Sequence, residues 1–274
     1  MKSIAAIFSL LVFSGVATAE SVSIDGLYGL DETHYHRVES EALGRGFHIL
    51  VGLPDGYDDS GDASYPTIYI LDGGALYPLL RGYYKYLRHS EEAPEAILVA
   101  ISYGANDFAG GNMRSTDYTA PSVERDYWGG AQAFQAFLGD ELFPLIESEY
   151  RSASNRRIVF GQSIGGQFVL FSAQTQPDLF WGHIASNPAL HRNLPFFLEI
   201  HGEATDQEAQ PRLFVGSGSH DDPTFREPAL QWIKHWSKQD DLPWNLKAVT
   251  LDSHTHFSIP PASFRQGLKW IFEL

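Results

Sequence analysis

The chain has 274 residues, no cysteine and a formal net charge of -15, with 43% hydrophobic and 14% aromatic content. Such a chain is long enough for one large, well-buried domain, and without cysteine it has no disulfide, thiol nucleophile, thiolate metal site or lipid-modified N-terminal cysteine. Its acidity argues against a nucleic-acid surface, which needs Lys and Arg to displace counterions, and otherwise points mainly to a soluble protein.

Taken in chain order, Lys2 precedes an apolar run from Ile4 to Val16, and Ala17-Thr18-Ala19 supplies small residues ahead of a cleavage point. At about 13 residues, interrupted by Ser9, Ser14 and Gly15, the run falls short of the roughly 20 that span a bilayer. Residues 1–19 therefore read as a secretory signal peptide rather than a membrane span. The mature chain, 20–274, is expected as a single domain in the periplasm or the medium.

Short apolar runs rich in β-branched residues follow at Phe47 to Leu53, Thr67 to Leu71, Ala96 to Ser102, Ile158 to Phe160 and Leu213 to Val215. Continuous runs of this kind suit strands covered on both faces of a mostly parallel sheet. Between them, Phe134, Phe137, Leu138, Leu142, Leu145 and Ile146 recur at helical spacing, with Pro144 expected to kink the helix. Ile164 to Ala173 is apolar on nearly every side, as for a helix buried against the sheet. Thr224 to Gln239 turns Leu230, Ile233 and Trp236 inward. This alternation predicts a three-layer α/β fold. A stretch from Tyr103 to Pro121 fits neither period, and a loop of about 20 residues in a compact domain is usually functional.

The chemistry centres on Gly161-Gln162-Ser163-Ile164-Gly165. A sharp turn from a strand ending near Phe160 into a helix starting near Ile164 would lift the Ser163 hydroxyl above the sheet and leave the Ile164 amide free at a positive helix end. A serine hydroxyl is a poor nucleophile without a base, and in this arrangement the histidine follows the last strand. His254 and His256 both stand there, and spacing does not choose between them. A His-x-His pair without further clustered ligands is a weak metal signal, so no metal is expected. The orienting acid belongs between serine and histidine in sequence: Asp221 comes first, Asp222 next, with Asp252 a third candidate and helix capping the competing role for the pair. A second oxyanion donor is expected from Leu71-Asp72-Gly73-Gly74, after a neighbouring strand.

In this order the chain resembles the esterase-D-like family of α/β-hydrolases. The resemblance rests on Leu43-Gly44-Arg45, Leu53-Pro54-Asp55-Gly56-Tyr57, Tyr69-Ile70-Leu71-Asp72-Gly73, Arg114-x-x-Asp117-Tyr118-Thr119, the Ser163 motif, Ser186-Asn187-Pro188-Ala189-Leu190 and the segment around His256. It covers nearly all of the mature chain. It implies an α/β-hydrolase fold, His256 as the base, since Pro261-Ala262-Ser263-Phe264 follows it, and the Gly74 and Ile164 amides as the oxyanion hole. The family's usual glutamate after Gly216 is absent, so a serine-histidine dyad stays open beside Asp221 and Asp222. The resemblance further implies acyl-enzyme hydrolysis of carboxylic esters without a cofactor, with catecholate siderophores, ferric ones included, as the expected substrates. Hydroxycinnamoyl or short acyl esters, acyl transfer, and siderophore binding without turnover are the alternatives. Arg114 is expected either to hold an anionic acyl or catecholate group or to pair with Asp117 as a loop brace. Tyr103, Phe108, Tyr127 and Trp128 are candidates for stacking on aryl rings.

Overall fold

A computed structural model describes residues 26–203 and 210–274, so the expected signal peptide lies outside the described residues. Eight strands form one sheet: β1 (Thr33–Ser40), β2 (Arg45–Gly52), β3 (Tyr65–Ile70), β4 (Ile97–Ser102), β5 (Ser152–Gln162), β6 (Gly182–Ser186), β7 (Arg212–Gly218) and β8 (Asn245–Leu251). Their order is β1-β2-β4-β3-β5-β6-β7-β8. The β1/β2 and β2/β4 pairs are antiparallel, and every pair from β4 through β8 is parallel.

The helices are α1 (Gly73–His89), α2 (Arg114–Asp117), α3 (Ala131–Ala136), α4 (Phe143–Glu149), α5 (Ile164–Thr175), α6 (Leu194–Phe197), α7 (Pro223–Trp236) and α8 (Pro260–Ile271). Side chains alternate across the central strands, because successive residues of a strand point to opposite faces. Tyr69, Leu71, Ile97, Val99 and Ile101 pack on the face that carries Phe134, Phe168 and Trp232. Ile68, Ile70, Leu98 and Ala100 pack on the other, against Leu76 and Leu80 of α1 and Phe264 and Leu268 of α8. Helices on both faces of a largely parallel sheet make the three layers of an α/β-hydrolase fold.

Three strands carry no apolar run that would announce them. In β1, an edge strand, His34, His36 and Arg37 are spaced among half-buried positions, while β8 has Lys247 at its middle and β6 holds His183 in the core. The long helix expected around Phe134 to Ile146 is broken earlier than Pro144. Residues 137–142 form a π-helical turn between α3 and α4, and Pro144 sits in the first turn of α4. Proline has no N–H for the carbonyl one turn back, so the hydrogen-bond register is disturbed on its N-terminal side. In α7 the buried face is Ala229, Trp232 and Trp236, with Leu230 and Ile233 only half-buried, so the inward stripe is displaced from the expected one.

Candidate active site

Ser163 sits between the end of β5 and the first residue of α5, with φ 60° and ψ -116°. This strained conformation costs on the order of 1–3 kcal/mol and persists only where neighbours fix it. Here the Ser163 N–H donates to the Ser186 carbonyl (3.0 Å), and the Ser163 carbonyl accepts from Gln167 (2.9 Å) and Ala189 (3.0 Å). The turn is so tight that a Cβ on Gly161 would lie 2.2 Å from the Gly165 carbonyl oxygen, whereas one on Gly165 would meet Asp72 Oδ2 at 3.2 Å. Gly161 is required by space. Gly165 is merely favoured.

Three side chains named from sequence come together above the strand ends. Ser163 Oγ lies 2.9 Å from His256 Nε2, and His256 Nδ1 lies 3.0 Å from Asp221 Oδ2 and 3.1 Å from Oδ1. A carboxylate only accepts, so Nδ1 carries the proton and Nε2 is left to accept from the serine hydroxyl. The Asp221 side chain is 1% exposed. Its Oδ1 also accepts the Asp222 N–H at 2.8 Å. Asp222 has the other role weighed for the pair: its carboxylate caps α7 by accepting the Thr224 N–H at 2.8 Å, and the Thr224 side chain together with this amide holds its carboxyl below the usual range. His254 turns away, with Nδ1 on the Ser258 carbonyl at 3.1 Å, and Asp252 is exposed.

Gly74 and Ile164 occupy the first turns of α1 and α5, where amides have no acceptor one turn back. Gly74 lines the same cavity as Ser163 and His256, a cleft of about 690 Å³. Its apolar wall includes Ala75, Leu76, Leu79, Phe225 and Phe257. Of the four aromatic residues singled out in the long loop region, Tyr103 lines this cavity, whereas Phe108 and Tyr127 pack on each other at 5.3 Å.

Arg114 also lines the cavity, and its partner differs from the brace considered from sequence. Nε and Nη2 donate to the two oxygens of Asp72 at 2.7 and 2.8 Å, a bidentate pair. Burial opposes the Arg114 charge, Asp72 overcomes it, and the guanidinium pKa is raised. Asp117 instead receives Arg45 and, at 2.9 Å, the Tyr103 hydroxyl.

Two contributors have no sequence signal of their own. Asn187 accepts from Gly218 N at 2.7 Å and reaches toward the Thr255 carbonyl, joining the loop before Asp221 to the loop of His256. Phe225 lays its ring against His256, with centroids 4.5 Å apart and planes at 30°. Only the fold brings Phe225 to the imidazole. Asn187 stands in a motif that carries the family resemblance, but nothing in that motif specifies what its amide holds.

The family model described as "Putative esterase" (Esterase) matches residues 40–267. The chain belongs to this esterase family. Within such company, the ferri-bacillibactin esterase BesA of Bacillus subtilis (strain 168) is 31% identical over 185 residues, 61% of this chain and 62% of BesA. The siderophore triacetylfusarinine C esterase of Aspergillus fumigatus is 28% identical over 187 residues, 64% of each chain. The match therefore spans somewhat less than two thirds of the length of either relative. The crystal structure of the BES protein from Bacillus cereus superposes with a TM-score of 0.77 at 21% identity, covering 94% of this chain and 98% of that one, and shares the fold. Among the described residues, no group of three or more His, Asp or Glu side chains is arranged to hold a metal ion, and no helix is long and apolar enough to cross a membrane.

Proposed function

We propose that this esterase-family chain is a serine esterase that hydrolyses siderophore esters, catecholate trilactones first among them, through an acyl-enzyme. The observation that carries the reading is the continuous chain of contacts from Ser163 Oγ to His256 to the buried Asp221, opening on a cleft of about 690 Å³. A cleft of that size is of the order that encloses a drug-sized ligand. The names of BesA and the Aspergillus relative, and the family motifs, supply the substrate class. Export to the periplasm or the medium belongs to the same proposal, supported by Lys2, the apolar run and Ala17-Thr18-Ala19.

In the proposed reaction, Ser163 Oγ attacks the ester carbonyl carbon as its proton passes to His256 Nε2, and Asp221 stabilises the imidazolium through Nδ1–H. The Gly74 and Ile164 amides donate to the oxyanion. The carbonyl–oxygen bond to the leaving group breaks and His256 returns its proton to the departing alkoxide, which in a trilactone stays tethered as the ring opens. Water then adds to the acyl-serine, giving one proton to His256, and the second collapse frees the acid and restores the Ser163 hydroxyl.

The test is mass spectrometry of products from residues 20–274 and its Ser163→Ala variant incubated with a tris-catechol trilactone, p-nitrophenyl acetate and methyl ferulate. Serine-dependent ring opening much faster than cleavage of the small esters is expected. Cleavage of the small esters alone would discard the siderophore, appearance of an acylated alcohol acceptor would favour transfer, and no serine-dependent cleavage would leave binding without turnover.

A further inference from the structure

The charge of the cleft has a bearing on which form of such an ester it takes. Four ionisable residues line it: Asp72, Arg114, His256 and Tyr103, whose phenol burial keeps neutral. His256 must be neutral to accept the serine proton, and Arg114 is matched by Asp72 through two hydrogen bonds, so the lining carries no net charge in the state that reacts. The remaining polar lining is neutral, including Ser102, Asn106, Asn112 and Gln162, and the rest is chiefly apolar. The loops and helix starts at the same edge of the sheet add Asp107, Glu124, Asp126, Asp222 and Asp252 against Arg125, Arg192 and Arg226, the last held on the Gly218 carbonyl at 3.0 Å, in a chain whose net charge is -15. A cleft within an acidic surface focuses a negative potential, which repels anions and leaves neutral molecules unaffected. Three catecholates around one ferric ion make a trianion, whereas an iron-free catechol keeps its protons and needs no counter-charge on leaving water.

We infer that the cleft selects esters whose acyl part is uncharged, and that among siderophore esters it takes the iron-free chelator in preference to the ferric complex. This rests on the esterase reading above and goes further, naming the form of substrate. It also sets the chain apart from BesA, whose name specifies a ferric chelate.

The experiment compares kcat/KM for two pairs: p-nitrophenyl butyrate against mono-p-nitrophenyl succinate, and a tris-catechol trilactone without and with iron. The neutral member of each pair is expected to react at least about tenfold faster, and the gap should narrow as salt rises, because screening shortens the reach of the acidic surface. Leu79, on the cleft wall and 48% exposed, gives a variant that need not disturb the fold. Leu79→Lys should shift the butyrate-to-succinate ratio about threefold toward succinate, the order of one exposed charge pair. Asp72→Asn, which frees Arg114, should shift it in the same direction.

Anionic members cleaved as fast as the neutral ones, or faster, would overturn the inference. The neutral preference appearing in the p-nitrophenyl pair with neither trilactone opened would remove the siderophore and keep the charge selection. No serine-dependent cleavage of any of the four would remove the esterase reading and this inference with it.

Discussion

His183 lies in β6 with no exposed surface, between Val159 and Leu213 of the flanking strands and beside the ring of Phe180 at 5.6 Å. Neither ring nitrogen has a hydrogen-bond partner among the described residues. Burial disfavours the imidazolium and brings the pKa down from 6.5 to about 3. The unfolded chain therefore binds a proton that the folded chain refuses between those two values, and stability falls as pH drops below 6.5. At pH 5 the loss from this one residue is about 1.4 kcal/mol for each of the 1.5 units below the unfolded value, or about 2 kcal/mol. The figure changes little if the folded pKa lies anywhere below about 4, because the unfolded value then sets it. His183→Leu, similar in size and uncharged at any pH, should remove the effect. Urea unfolding followed by tryptophan fluorescence at pH 7 and pH 5 should show the wild type losing about 2 kcal/mol more than the variant over that interval, while the carboxylates common to both cancel. Parallel losses, within about 0.5 kcal/mol, would refute the reasoning and mean that the imidazole has a partner or takes its proton inside the fold.

The two adjacent aspartates should separate cleanly. Asp221→Asn is expected to lower kcat by about 10³- to 10⁴-fold, since an amide can donate to Nδ1 and favour the wrong tautomer, whereas Asp222→Asn should keep kcat within a few fold, because asparagine still caps a helix. Steady-state kinetics on p-nitrophenyl acetate reads both. Gly161→Ala should destabilise the chain by about 3 kcal/mol or leave it insoluble, because the new Cβ meets a backbone oxygen rather than a side chain that can move; thermal unfolding measures it. Phe225→Leu should reduce kcat by about two- to thirtyfold, the worth of an aromatic face to an imidazolium, while Phe225→Tyr keeps most of the rate.

Much of this site was legible because its chemistry demands particular residues at particular turns. The Gly161 to Gly165 motif, the histidine after the last strand and the aspartate after β7 follow from where an α/β sheet places its loops. The choice of Asp221 over Asp222 was not so legible. Adjacent residues in a turn point to different sides, and which side faces His256 is fixed by the entry into α7, where Asp222 takes the cap. For Arg114, spacing brought Asp117 into consideration, but its partner is 42 residues away in Asp72, a contact that only the packing of α2 beside the start of α1 creates. The polar strands β1, β6 and β8 were hidden for a related reason. Two lie at the edges of the sheet, where one side is wet, and the third tolerates a histidine because its neighbours supply the apolar cover.

The sheet order has a mechanical consequence for Ser163 and His256. Ser163 follows β5 and His256 follows β8, three strand spacings apart, or about 14 Å at the usual interval between strands. The five residues from Asp252 to His256 must fold back across the end of β7 to bring the imidazole within 2.9 Å of the hydroxyl, and Gln162 fastens the returning loop by donating to the His256 carbonyl at 2.7 Å. The loop that carries His256 to Ser163 is thus a span tied at both ends, to β5 through Gln162 and to the β6–β7 corner through Asn187. Any loosening of this strap parts the serine from its base while every strand of the sheet remains paired, so catalytic power can vanish from a molecule that still looks folded by its backbone.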